Sequence, residues 1–236
     1  MAGRSSLVIA FVLAAFTLNA SASGQERLFS LSVKGSLTTG SQLFPRANSS
    51  NSVDRASFFP LEDILGFGAE VRYHFPQTNL AVGMSVDYIR ATADQRITRG
   101  STAIPVEDGY RVIPLEITGY FYIPVAGPTF GVFMGGGAGV YFGRRIYRIA
   151  GVDSVPIDQG HGYGIHVLGG VVYRLTEYLA LDAEMKFRDV QFEATNAFAV
   201  SDIPYGGTIV SVTREPQYAR IHTDGVVFQF GVSYSL

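Results

Sequence analysis

The stretch LALDAEMKFR, residues 179–188, puts Leu179, Leu181, Ala183, Met185 and Phe187 on one parity and Asp182, Glu184, Lys186 and Arg188 on the other. Side chains of a β-strand alternate between two faces, so this is a strand with one greasy face and one bearing four charges. Four charges on one face need a polar place to point.

The pattern recurs outward in both directions. At the C-terminus Val226, Phe228, Phe230, Val232, Tyr234 and Leu236 alternate with Val227, Gln229, Gly231, Ser233 and Ser235. Near the other end Phe29, Leu31, Val33, Gly35 and Leu37 alternate with Ser30, Ser32, Lys34 and Ser36, and Phe67, Ala69, Val71, Tyr73 and Phe75 alternate with Gly66, Gly68, Glu70, Arg72 and His74. Leu80, Val82, Met84, Val86 and Tyr88 oppose Ala81, Gly83, Ser85 and Asp87; Leu115, Ile117, Gly119, Phe121 and Ile123 oppose Glu116, Thr118, Tyr120 and Tyr122. Phe130 to Phe142 sets Phe130, Val132, Met134, Ala138 and Val140 against a face of mostly glycine, read as small. Tyr163 to Tyr173 is apolar on both sides, with Ile165, Val167, Val171 and Tyr173 assigned outward and His166 inward.

These eight stretches are joined by connections of two kinds. Residues 76–79, 124–128 and 175–178 are short, whereas 38–65, 91–109, 143–162 and 190–223 are long, and the two kinds alternate. Tight turns at one end, long loops at the other and an even strand number define an up-and-down transmembrane barrel. The expected fold is therefore all-β, a closed antiparallel barrel of about eight strands.

Which face points inward follows from volume. A barrel of about eight strands has an interior just wide enough to be filled by side chains, and rings of Phe, Tyr, Leu and Met are too bulky to share it. The small and charged faces fit, so the charges are assigned to the lumen and the apolar faces to lipid. Closure has a physical reason too, since each unpaired backbone group in hydrocarbon costs several kcal/mol.

Composition agrees. The chain has 236 residues with 27 Gly, 13 Tyr and 17 Phe, which suits strands and turns better than helices. The absence of Cys excludes disulfides, thiolate catalysis and cysteine metal ligands. The net charge is -2 and the 18 Lys and Arg are scattered, giving no nucleic-acid surface. Residues 1–22 read as a signal peptide: Arg4, an apolar run from Leu7 to Leu18, and Ala20-Ser21-Ala22 before the expected cleavage. Residues 23–236 are then one barrel domain.

Ile113-Pro114-Leu115, TFGVFMGGGAGVYFG at 129–143, the passage at 162–190 and the alternating final strand resemble the small outer-membrane β-barrel family of the OmpA, OmpX and OmpW type, over essentially all of 23–236. The resemblance implies export to the outer membrane of a Gram-negative-type bacterium, outer-membrane lipid as surroundings, and insertion by the barrel-assembly machinery through the last strand, here Phe228, Phe230, Val232, Tyr234 and Leu236. Family members usually end in Phe, whereas this chain ends in Leu236. No peptidoglycan-binding domain of the kind appended in the OmpA branch is expected.

The candidate site is a lumen charge cluster of Glu70, Arg72, His74, Glu116, Asp182, Glu184, Lys186 and Arg188. Ionisable groups at membrane depth are functional candidates, and opposed charges in a narrow lumen most simply neutralise one another and plug it. The four histidines, at 74, 161, 166 and 222, lack ligand spacing, so no metal and no cofactor is expected. Gly137-Ala138-Gly139 lacks the further Gly or Lys of a phosphate loop. No G-x-S-x-G and no His–Ser pairing at a strand end is seen, so no catalytic residue is assigned. Tyr73, Tyr88, Tyr120, Tyr122, Tyr173 and Tyr234 are read as interfacial anchors.

The leading reading is a structural or surface-interaction scaffold whose long loops meet an extracellular ligand or protein. The loop 190–223, with Ile203, Tyr205 and Val210, is read as a hairpin above the membrane or a docking surface. The competing readings are a small porin or transport barrel for ions or small hydrophobic molecules, and a lipid-modifying enzyme.

Overall fold

In a computed structural model the described residues are 27–99, 102–124, 127, 129–158 and 160–236; the signal-peptide reading of 1–22 lies outside them. Eight long strands close into a ring. They are β1 (Phe29–Phe44), β2 (Phe59–His74), β3 (Leu80–Arg99), β4 (Thr102–Ile123) and β5 (Phe130–Ile149). The ring continues through β8 (Gly160–Arg174) and β9 (Leu179–Ala197), and its last member is split into β12 (Gln217–His222) and β13 (Gly225–Ser235). Every neighbouring pair is antiparallel, and the ring closes where β1 pairs with β2 on one side and with β13 and β12 on the other. No edge remains in the wall, as a bilayer requires.

Strand faces follow the alternation. On β9 Asp182, Glu184, Lys186 and Arg188 are buried while Leu181, Met185 and Phe187 are exposed on the outside. Val33, Met84, Ile117, Ile165 and Phe230 are all more than half exposed on the same outer surface, which is the face a lipid would cover. On β8 His166 is buried while Ile165, Val167, Val171 and Tyr173 point out.

The long connections differ from the expectation because the strands run on past the apolar belt. Residues 91–109 are largely a continuation of the β3–β4 ladder, in register up to Arg99 opposite Thr102. The stretch 38–65 keeps pairing to Leu43 opposite Phe59, and the inward parity shifts between Thr38 and Ser41, facing Asp63 at φ 52°. Between these strands lies only a short helix, α1 (Ser52–Ala56), capped by Asn51. Within 143–162 lie the small strands β6 (Val152–Asp153) and β7 (Val155–Asp158). Residues 190–223 hold a hairpin of β10 (Asp202–Tyr205) and β11 (Thr208–Ser211), whose Ile203 and Val210 are buried with Ile104, Val106, Ile149 and Phe198. The apolar content of that loop is thus a small second core over the mouth of the barrel.

Candidate functional site

From the turn end to the loop end the lumen is filled in layers. At the turn end Ala81, Tyr120, Phe133, Leu168, Val172 and Ala180 form an apolar floor. Two aromatic residues there correct the sequence reading. Phe133 is almost fully buried on the glycine-rich face of β5, so that face is not uniformly small, and Tyr120, read as an interfacial anchor, lies inside. Tyr122 packs beside it rather than at the interface.

Above the floor, four charges from three strands form a neutral group. The Lys34 ammonium donates to Glu70 Oε2 at 2.5 Å and to Glu184 Oε1 at 2.8 Å. Arg72 donates to Glu70 Oε1 and Glu184 Oε1, and its guanidinium lies 4.0 Å from the centroid of the Tyr120 ring. The Tyr120 hydroxyl completes the shell by donating to Glu70 at 2.8 Å.

A second neutral group lies nearer the loop end. Glu116 accepts from Lys186 at 2.7 Å and from the Tyr141 hydroxyl at 2.6 Å, and the Arg188 Nε sits 2.9 Å away. Arg188 also donates to Asp87 Oδ2 at 2.6 Å. The neighbouring backbone is shaped for this pair, because a Cβ on Gly68 would lie 1.9 Å from Asp87 Oδ1. Thr118 and His166 Nε2 meet at 2.9 Å beside it.

Six of the eight cluster residues named from the sequence therefore take part in these groups. His74 does not: it sits half-buried near the turn end, 3.1 Å from the Ser30 hydroxyl. That contact is a His–Ser pairing the sequence reading had not found, with a hydroxyl rather than a carboxylate as the partner of the ring. Asp182 is buried on the same wall but forms no ion pair among the described residues, and its Oδ2 has no hydrogen-bond partner. Two members had been missed, Lys34 and Asp87. Each stands alone on a small-residue face, Ser-Lys-Ser on β1 and Gly-x-Ser-x-Asp on β3; only ring closure brings them to partners on distant strands.

Beyond the second group the lumen turns apolar. Leu43, Tyr110, Val112, Phe192 and Ile221, among others, form a fully buried layer. Gly143 admits it: a Cβ there would lie 2.1 Å from the Phe192 ring. Above this layer opens a cup of about 620 Å³ lined by Arg46, Phe59, Ile97, Asp108, Arg145 and Tyr147 among others. Arg145 grips Asp108 through two hydrogen bonds of 2.8 and 2.5 Å. Burial holds the Asp108 carboxyl above its ordinary range against the opposing pull of Arg145.

No protein-family model matches the sequence, and no curated protein matches it. Among solved structures the chain is similar to the outer membrane protein OprG from Pseudomonas aeruginosa, with a TM-score of 0.58 and 12% identity over 89% of this chain and 97% of that one. Weaker likenesses include a major outer membrane protein from Thermus thermophilus (TM-score 0.47, 14% identity, 88% of this chain and 99% of that one). Another is Neisserial surface protein A (TM-score 0.45, 14% identity, 88% of this chain and 97% of that one). The OprG likeness shows the fold: the chain is a β-barrel of the outer-membrane kind.

Proposed function

We propose that this protein is a scaffold of the outer membrane: a barrel that sits among outer-membrane lipids, has no open pore, and offers its loop end to an extracellular ligand or protein without catalysing a reaction. The observation that carries the reading is the lumen filling. Two charge groups, each with two cations and two anions, are stacked beneath an apolar layer, and neither leaves a line of free charges for an ion to follow. The cup of about 620 Å³ at the loop end gives this scaffold room for a small molecule on its lumen side.

The apolar layer beneath that cup favours a second reading, transport of small hydrophobic molecules, while the cup's own wall carries Arg145 and Asp108. For a lipid-modifying enzyme, Ser30 and His74 are the nearest pair, and they face the lumen at the turn end instead of a lipid-facing rim.

Planar-bilayer conductance separates these. The refolded barrel, with its folding checked by boiled and unboiled gel mobility, is expected to be silent. Reproducible current steps that change in Asp182→Asn or Arg188→Gln would sink the closed-lumen reading. A silent wild type whose vesicles take up a small apolar dye faster than empty vesicles would favour the second reading.

A further inference from the structure

The outer wall carries an apolar belt, and the first polar side chains above it form a collar at the loop end. Around the ring they are Thr39, Glu62 with Asp63, Arg90, Arg111, Arg144, His161, Asp189 and Asp224. The collar is divided by charge: β3, β4 and β5 supply three arginines, while β2, β9 and the residue before β13 supply carboxylates.

The three arginines are in direct register, Arg90 opposite Arg111 and Arg111 opposite Arg144. Cross-strand partners have Cβ atoms about 5 Å apart, and like charges placed so are destabilising. The protein relieves this only partly. Arg90 pairs with Glu107 at 3.0 Å, but Glu107 is shared with Arg148 at 2.9 Å. Arg111 lies over the Tyr88 ring, and Arg144 forms no ion pair among the described residues. The row is short of anions.

Directly beneath it the same three strands, with β8, enclose an open apolar groove of about 620 Å³. Met84, Leu115, Ile117, Ala138, Val140 and Ile165 line it, with Asp189 at its far edge. It exists because the glycine-rich stretch of β5 turns the small Ala138 outward opposite Ile117. A shallower continuation runs on toward the turn end between Phe121 and Val167.

Height supplies the link between row and groove. Arg111 stands about twelve residues from the turn end of β4, which at roughly 3.3 Å per residue and a tilt of about 40° is ~30 Å, the thickness of a hydrocarbon core. The arginines are then level with the headgroups of the loop-side leaflet, and the groove is level with its acyl chains. We propose that β3, β4, β5 and β8 form a specific lipid site, in which a phosphate-bearing headgroup neutralises Arg90, Arg111 and Arg144 while an acyl chain of the same lipid lies in the groove over Ala138. The carboxylates that flank the row on both sides, Glu62 and Asp63 on β2 and Asp189 on β9, repel such headgroups, so the contact is confined to the arginines.

This proposal rests on the membrane placement given under Proposed function, and the test reads the two apart. The full barrel is reconstituted in phosphatidylcholine vesicles with traces of spin-labelled phosphatidic acid or spin-labelled phosphatidylcholine. The motionally restricted fraction gives the relative association of each lipid. Phosphatidic acid is expected to be preferred, and replacing arginines by Gln at 90, 111 and 144 is expected to lower the preference by up to about fivefold each. Ala138→Phe, which fills the groove from the lipid side without touching the lumen, is expected to lower it about twofold through lost van der Waals contacts. Phosphatidylcholine, spread over the whole perimeter, is nearly unaffected.

A chain that never enters a bilayer would sink the membrane reading and this one together. A barrel that inserts but shows equal association for both lipids overturns the lipid site alone. So does a preference that survives the triple arginine variant, or one that Asp224→Asn, remote from the groove, changes as strongly as the arginine variants do. If inorganic phosphate abolishes the preference where sodium chloride of equal ionic strength does not, and Ala138→Phe is silent, the row is a free-anion site and the groove has no part in it.

Discussion

The two halves of the lumen are closed by different means. Toward the turn end eight charges are arranged in two neutral groups, each carboxylate held by at least one cation within 3 Å. From Val112 upward the filling is apolar, with Phe192, Leu43 and Ile221 fully buried and no buried charge until Asp108 and Arg145. Pairing is directional and counted, so one lost partner strands the others. Packing is neither, and a lost side chain costs only its contacts and the void it leaves. A buried ion pair is in itself weak evidence for stability, since desolvation offsets much of the attraction. What the lower half gains from its charges is a definite arrangement of strands from opposite sides of the ring.

The lower half is most vulnerable at Glu116. Glu116→Gln leaves Lys186 without its carboxylate and Arg188 with Asp87 alone, and the loss is expected to be about 3–5 kcal/mol. Urea unfolding of the barrel in lipid vesicles measures it. The double variant Glu116→Gln with Lys186→Met removes the stranded ammonium as well and is expected to recover a large part. A single variant costing under about 1 kcal/mol would mean that the lower half is not held by pairing at all.

In the upper half the matching change is Phe192→Ala, which removes a ring packed edge-on against Tyr110 with centroids 6.0 Å apart. The expected loss is about 3 kcal/mol, the low end for a buried Phe, because the void lies close to an open cup that can relax or admit water. Unlike the charge variants it should respond to a volume-conserving rescue, with Phe192→Leu losing less than half as much. Equal losses for Ala and Leu would show that the ring's edge contacts, and not the space it fills, hold the upper layer.

How much of this could be read beforehand depends on what each feature requires. Period-2 alternation is a local property, so strand faces, the inward placement of Glu70 and Lys186, and even the orientation of the ambiguous Tyr163 to Tyr173 stretch were legible. Partners were not. Lys34 meets Glu184, which is 150 residues away, only because β1, β13 and β9 are neighbours in a closed ring. Tyr120 and Tyr122 were misplaced for a related reason. A tyrosine near a strand end suits an interfacial belt, but parity, the stronger constraint, already put both on the face of Glu116. The long connections were overestimated because strand character was judged by the apolar face, and above the belt that face becomes polar: Arg90, Thr92 and Asp94 continue β3 without the greasy signal.

The smallest effect is expected at a pair whose geometry rivals that of Glu116. Arg148 donates to Asp153 at 2.6 and 3.3 Å and to Glu107 at 2.9 Å, and these bonds push its guanidinium pKa above the ordinary arginine range. A raised folded-state pKa on a base contributes below the unfolded value and is lost only as pH climbs past the folded one. Between about pH 5 and 9 the contribution is therefore constant, since arginine stays charged throughout. Yet the Arg148 and Asp153 side chains are 41% and 64% exposed, so water and salt compete with both. Arg148→Gln is expected to cost under about 0.5 kcal/mol, and that little should vanish in 1 M salt, where the screening length is roughly 3 Å. Glu116→Gln should keep its full cost in the same salt, because its partners are sealed from solvent. If Arg148→Gln cost as much as Glu116→Gln, hydrogen-bond geometry rather than burial would set the worth of a pair, and the lumen would lose its distinction from the rim.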